Sequence, residues 1–293
     1  MLMSTAWATN RDDLIKLLET YEGRKEFIED KEPGLEVKFI RENHQNNAGY
    51  WLEKCFPNST ITIDKKDCKN KKDFEAALNW PRDILQVLKN TALIAPRYKT
   101  LGNKILNELG FNGERELSHF GEGGTSVVAG KGLLFSGIDL LFDKVEIVDK
   151  MDYLAIAMPL YAKLSSQDSV ERRLARRLNR NRHIDTEMNL IQTKADKYLL
   201  IVTPEYHHVF KETVDLICSS TKNQLYVTKD SHHYQPTNFI VLPSGKIIIS
   251  EKCKSVIDFL DKNLDTEILT YKPLRNECNR YGGLRCRTNI IEI

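Results

Sequence analysis

Four short stretches of this chain carry residues whose types and spacing could do chemistry. Asn-Trp-Pro-Arg-Asp sets Asp83 directly behind an arginine, and Phe-Gly-Glu-Gly-Gly sets Glu122 ahead of two glycines. Arg-His-Ile-Asp separates His183 from Asp185 by one residue, so on an extended strand both side chains share a face. Near the C-terminus, Gly-Gly-Leu-Arg-Cys-Arg places Cys286 between Arg285 and Arg287, charges that favour the thiolate. A thiolate, a histidine and a carboxylate to orient it make a nucleophile, an acid–base group and its support. The two further aspartates make sense if the electrophile is itself a cation. A guanidinium fits, being planar and permanently charged, with N–H forks that match carboxylates bidentately. Two aspartates would grip it and leave its central carbon open to sulfur.

Each stretch alone also has an ordinary structural explanation. Asp83 reads as a cap ahead of a helix-like stretch, Glu122 as a surface turn carboxylate, and His183 as a satisfied partner of Asp185. Cys286 reads as a small buried apolar residue. Together, in this order, the four are harder to explain as accidents. Arg285 and Arg287 stay open between two readings. On an extended segment one would face the site and lower the thiol pKa while the other points away. Otherwise both are surface charges.

The order Arg-Asp, Glu-Gly-Gly, His-x-Asp and near-terminal Gly-Gly-x-x-Cys resembles that of the guanidine-modifying enzymes of the pentein superfamily. These include arginine, agmatine and peptidylarginine deiminases and the amidinotransferases. The resemblance runs from about Trp80 to the C-terminus. It implies an α/β fold, a five-bladed propeller of ββαβ modules with an axial site. It also implies Cys286 as the nucleophile on the guanidinium carbon. His183 would protonate the leaving amine and then activate water on an S-alkylthiouronium intermediate. Glu122 would hold His183, and Asp83 and Asp185 would grip the guanidinium nitrogens. His-Ile-Asp-Thr is similar to the His-Leu-Asp-Thr of arginine deiminases, so the motif detail leans to that branch. Two departures bear on the substrate. Thr125 stands where those enzymes carry Asp, and Arg280 lies one residue from the place of an arginine on the substrate carboxylate. Arg280 and Arg285 are therefore the candidate substrate-binding arginines. The implied reaction is a cofactor-free deiminase acting on arginine or a derivative with release of ammonia. Amidine transfer to an amine acceptor, and guanidinium binding without chemistry, remain alternatives.

The elements that must position these residues read as an alternation of short strands and helices. Strand-like runs include Thr91–Arg97, Thr125–Gly137, Lys144–Lys150, Tyr153–Leu160, Met188–Val202, Gln224–Lys229, Asn238–Ser250 and Thr266–Tyr271. Ser126–Gly137 and Asn238–Ser250 each place Gly and Lys between apolar runs, which predicts hairpins. Helical spacing falls at residues 10–22, before Pro81, and over Tyr98–Phe111, Ser166–Asn181, His207–Ser220 and Lys252–Leu264. Residues 36–40 alternate as a strand should. No Pro/Ser-rich linker divides the chain, so a single catalytic domain over 1–293 is the expectation.

Composition excludes more than it assigns. At 293 residues with 41% apolar and 29% charged side chains, the chain is an ordinary globular protein. Its net charge of +2 calls for neither nucleic acid nor an anionic membrane. Six arginines between Arg172 and Arg182 are read as a basic surface helix, because Leu174 and Leu178 recur on one stripe and no aromatics interleave. No apolar run approaches the roughly 18–20 residues of a membrane span, and the N-terminus lacks a secretory pattern. The six scattered cysteines give no disulfide or zinc framework, so the expected compartment is the cytoplasm. The pairs His207-His208 and His232-His233 are poorly spaced to share a metal, and none is expected. The expected partner is a small guanidino substrate, with a homodimer left open.

Overall fold

The computed structural model describes residues 2–4, 38–42, 60–119, 122–129, 133–137, 154–160, 162–181, 183–193, 198–221, 224–241, 245–271, 283 and 285–289. The expected helix at 10–22, the run Lys144–Lys150 and Arg280 lie outside these residues. The chain divides into two compact units. The first comprises Met1–Gly123 with Pro273–Ile293, and the second Gly124–Lys272.

The first unit holds two sheets. In one, β1 (Leu2–Ser4) lies antiparallel to β16 (Thr288–Asn289) and parallel to β2 (Lys38–Glu42), which is parallel to β3 (Thr60–Ile63). In the other, β4 (Leu85–Leu88) and β5 (Thr91–Ile94) form a hairpin, and β6 (Glu114–Leu117) returns parallel to β5 through helix α2 (Lys99–Glu108). Helix α1 (Lys71–Asn79) starts where the Asn70 side chain accepts the Asp73 N–H at 2.9 Å. Ile63, Phe74, Ile84, Leu85, Ile94, Tyr98, Leu101 and Ile105 make the core beneath these elements.

The second unit repeats the hairpin-then-parallel-strand plan three times. The strands are β7 (Ser126–Ala129), β8 (Leu133–Gly137) and β9 (Leu154–Met158), then β10 (Met188–Gln192), β11 (Tyr198–Val202) and β12 (Gln224–Val227), then β13 (Ile240–Val241), β14 (Ile247–Ser250) and β15 (Ile268–Tyr271). In each set the first two strands are antiparallel and the third is parallel to the second. Helices α4 (Pro204–Thr221) and α5 (Lys254–Asn263) supply the crossovers in the last two, as a parallel return requires. Both hairpins expected from Gly-Lys turns are present. The mixed α/β class therefore holds, with five sheets among the described residues.

Helix α3 (Ser169–Asn181) is the basic run. It buries Leu174, Ala175 and Leu178 into a core shared with Met188, Leu200, Val202 and Tyr206. The apolar stripe read from the sequence is thus a packing face, while Arg173 and Arg176 stay exposed. Among the described residues no helix is long and apolar enough to cross a membrane.

Because Leu178 is fully buried, Leu178→Ala should lower unfolding free energy by about 2–5 kcal/mol through lost burial and the cavity left behind. Urea denaturation checks this. A loss within measurement error would place α3 off the core.

Candidate functional site

In the first unit, the local sequence explains where Asp83 sits. Trp80 caps α1, and Pro81 has no N–H with which to continue the helical ladder. The chain instead makes a 3-10 turn, Pro81–Asp83, in which the Asp83 N–H donates to the Trp80 carbonyl at 3.0 Å. Strand β4 follows almost at once, so the stretch read as helix-like after Asp83 is a strand. The β4–β5 hairpin turns through Lys89 at φ 51, a left-handed residue with no glycine to announce it. Asp83 is only 8% exposed.

A second 3-10 turn, Arg285–Arg287, packs beside that of Asp83. It presents Cys286 and Arg285, both buried, immediately before β16. This segment is therefore not extended, so the reading in which a strand turns one arginine inward and the other outward does not apply. Three residues per turn replace the two-residue repeat of a strand. The Arg287 side chain lies outside the described residues.

The Arg-Asp stretch also meets the first glycine of Glu-Gly-Gly. Arg82 Nε donates to the Gly123 carbonyl at 3.2 Å, and a Cβ on Gly123 would stand 2.5 Å from Arg82 Cγ. Glu122 beside it forms an ion pair with Arg97, Nη2 to Oε1 3.3 Å. Arg97 was not singled out from the sequence. It follows Pro96 in a turn after β5 and carries no motif of its own.

In the second unit the other glycine meets the histidine. A Cβ on Gly124 would lie 2.5 Å from His183 Nδ1 and 2.6 Å from Cγ, so the imidazole packs where a side chain would be. His183 caps a 3-10 turn, Ile184–Thr186, which contains Asp185. The expectation of one face of an extended strand is corrected here. Thr186 Oγ1 donates back to the His183 carbonyl at 2.9 Å and the Glu187 N–H to the Ile184 carbonyl at 2.9 Å. Such local bonds compete with a strand ladder. Strand β10 begins only at Met188.

Asp185 is fully buried. Asn238 Nδ2 donates to its Oδ2 at 3.3 Å, and Thr237 Oγ1 to its carbonyl at 3.2 Å. Asn189 in turn holds that segment, donating through Nδ2 to the Thr237 carbonyl at 2.8 Å and the Phe239 carbonyl at 3.2 Å.

One buried charge was missed altogether. Glu187, two residues beyond Asp185, is fully buried and receives Arg177 in a fork, Nε to Oε1 2.7 Å and Nη2 to Oε2 2.9 Å. Thr203 Oγ1 donates to Oε2 at 2.6 Å, and His232 Nε2 lies 3.4 Å from Oε1. Burial would raise the carboxyl pKa, but the hydrogen bonds and charges of His232 and Arg177 outweigh it and hold Glu187 at about 2. The signal in the sequence was an arginine on the semi-apolar side of α3, hidden in a run of arginines.

Three further cysteines and two histidines among the described residues have other surroundings. Burial, helped by Asp67 and Asp73, pushes the Cys68 thiol up to about 11, and burial with Asp215 does the same at Cys218. Cys253 is buried, with Sγ donating to the Tyr234 carbonyl at 3.3 Å. His207 bonds Asp215 within α4 at 3.1 Å, whereas its neighbour His208 bonds Asp168, just ahead of α3, at 2.8 Å, so the two share no partner.

No protein-family model and no curated protein sequence matches this chain. Solved structures do. The chain is similar to an agmatine deiminase from C. jejuni at a TM-score of 0.60 and 13% identity, covering 98% of this chain and 91% of that one. A cysteine-to-serine variant of the C. jejuni enzyme with substrate bound gives 0.57 and 12%, covering 98% and 91%. An amidinotransferase of the saxitoxin biosynthetic pathway of Microseira wollei gives 0.56 and 12%, covering 98% and 92%. At these identities the likeness establishes the fold, and it falls on the same group of enzymes as the motif order.

Two outcomes follow from this geometry. Gly124→Ala should destabilise the protein by about 1–3 kcal/mol, because backbone and imidazole must both give way; denaturant unfolding measures it, and a neutral result would contradict the close approach. Glu187 ionises at about 2 in the fold against an ordinary 4.5. Its contribution is fully present above the ordinary value and is lost as pH falls towards 2, a change of roughly 3 kcal/mol. Unfolding free energies at pH 6 and pH 3 should show about 2 kcal/mol of that loss in the native chain, since pH 3 is still above the folded value, and a much flatter profile in Glu187→Gln.

Proposed function

We propose that this chain modifies a guanidino group, and that it does so as a deiminase through a covalent intermediate on Cys286. The observation that carries the reading is the pairing of two turns in the first unit. One holds the buried carboxylate of Asp83, and the other, packed beside it, holds Cys286. A guanidinium is a planar cation whose N–H forks match carboxylates, and its central carbon is one that sulfur attacks. The buried Asp185 is the second carboxylate for the same cation. The fold likeness to agmatine deiminases adds weight, and with it goes the proposal that the five sheets act as one catalytic domain closed into a propeller.

In this reading the Cys286 thiolate adds to the guanidinium carbon, forming a C–S bond. His183 donates a proton to one nitrogen, the C–N bond breaks, and ammonia leaves. The resulting S-alkylthiouronium is attacked by a water whose proton passes to His183. The C–S bond then breaks, returning the thiolate and releasing a ureido product. Glu122, balanced by Arg97, orients His183, and Arg285 and Arg280 meet the far end of the substrate. The small guanidino compound is the partner, and no cofactor enters.

A second reading follows from the likeness to an amidinotransferase. The same thiouronium would be intercepted by an acceptor amine in place of water. Exclusion of water would decide between them.

An assay for ammonia and ureido product on arginine, agmatine, methylarginines and an arginine peptide tests the proposal, with glycine added as an acceptor in parallel. One substrate should turn over, and Cys286→Ala should fall below about one-thousandth of the native rate. Native-level turnover by Cys286→Ala, or binding of all four compounds with no product from any, would overturn it.

A further inference from the structure

We infer that Arg177 and Glu187 form a positioning clamp for the turn that carries His183 and Asp185, an inference that rests on the functional reading above. The Arg177–Glu187 fork closes the chain on itself, from the last turns of α3 to the residue just past the 3-10 turn. His183 and Asp185 lie inside that closed loop. Glu187 is thus fixed at both ends of its own backbone and side chain. Its N–H donates to the Ile184 carbonyl at 2.9 Å, and its carbonyl accepts the Thr203 N–H at 2.9 Å.

The same carboxylate also governs the other wall around Asp185. His232 Nε2 lies 3.4 Å from Glu187 Oε1, and the His232 turn leads through left-handed Gln235 to Thr237 and Asn238, which hold Asp185. One side chain therefore sets the approach of two separate segments to a single aspartate. Neither Arg177 nor Glu187 is placed among the reacting groups. Both act through His183 and Asp185.

Charge is a poor way to make this region merely stable. Well-packed apolar residues of similar volume usually match a buried ion pair in stability. What they cannot reproduce is the fixed, planar fork that sets one geometry. A clamp and a structural ion pair therefore differ in what a charge-free replacement does.

The decisive variant is Arg177→Met combined with Glu187→Leu, compared with Arg177→Lys and the native chain. Melting temperature, kcat and KM on the best guanidino substrate, and amide exchange at Ile184 to Glu187 are measured together. The double variant should keep its melting temperature and lose kcat by at least about ten-fold, since small misplacements of reacting groups are that costly. Its turn amides should exchange at least about ten-fold faster, with β10 and β11 unchanged. Arg177→Lys should fall between the two, because it restores charge without the fork. Native kcat and native exchange in the double variant would overturn the clamp. If the double variant loses its melting temperature, Arg177→Lys decides: native kcat and exchange there would overturn it. If the native chain turns over no guanidine, the functional reading fails, and exchange at the turn still reports on the clamp.

Discussion

Gly123 and Gly124 each leave the room that a neighbouring side chain of their own unit occupies. Gly123 leaves room for the Arg82 side chain and accepts its Nε–H; Gly124 leaves room for the His183 ring. Each close approach falls well inside the distance at which a Cβ could be accommodated. Arg82 in the first unit and His183 in the second are thus each fitted to a glycine of their own unit. A turn that merely needed flexibility would tolerate other small residues. Here the requirement is volume, and it explains the pair better than conformational freedom does, since neither residue has a positive φ.

The acidic groups divide by the kind of partner the fold supplies. Glu187 has its partners built in, with a guanidinium fork, a hydroxyl and an imidazole around one carboxylate. Asp185, two residues away and equally buried, is held through its edges by an amide and by a backbone bond to a hydroxyl. Asp230 is of a third kind, spending both oxygens on the start of α5 through Ser255 and Val256. Position along the chain distinguishes none of these. Only the surroundings separate an ion-paired anchor, an amide-held carboxylate and a helix cap.

Much of the fold was legible in the sequence, and the exceptions have physical causes. Hairpins β7–β8 and β13–β14 carried a Gly-Lys turn between apolar runs, so they could be read directly. The β4–β5 hairpin could not, because its turn uses Lys89 in a left-handed conformation. Strand β6, Glu-Arg-Glu-Leu, is a polar edge and lacks the alternation that a buried face imposes. For the candidate site residues the sequence carries types and order, but local geometry could not be read from it. Ile184–Thr186 and Arg285–Arg287 both form 3-10 turns, whose bonds are decided by neighbouring groups such as Thr186 rather than by periodicity. Glu187 and Arg97 went unseen because their partners are distant in sequence. A single chain shows which residues are charged, and not which charges meet.

The first unit is assembled from distant parts of the chain. Leu2–Ser4 pairs with Thr288–Asn289, and Cys286 stands just ahead of that last strand. The second unit is continuous, with all its pairings between Gly124 and Lys272. On the ribosome these halves mature at different times. Residues emerge in order, so the continuous unit can settle while the edge place beside β1 stands empty. Only when the closing strand leaves the exit tunnel does Leu2–Ser4 gain its antiparallel neighbour, and the same stroke delivers the thiol to its turn. Cys286 is consequently among the last residues of the first unit to find its place, whereas Cys218 and Cys253 belong to the unit that can settle earlier.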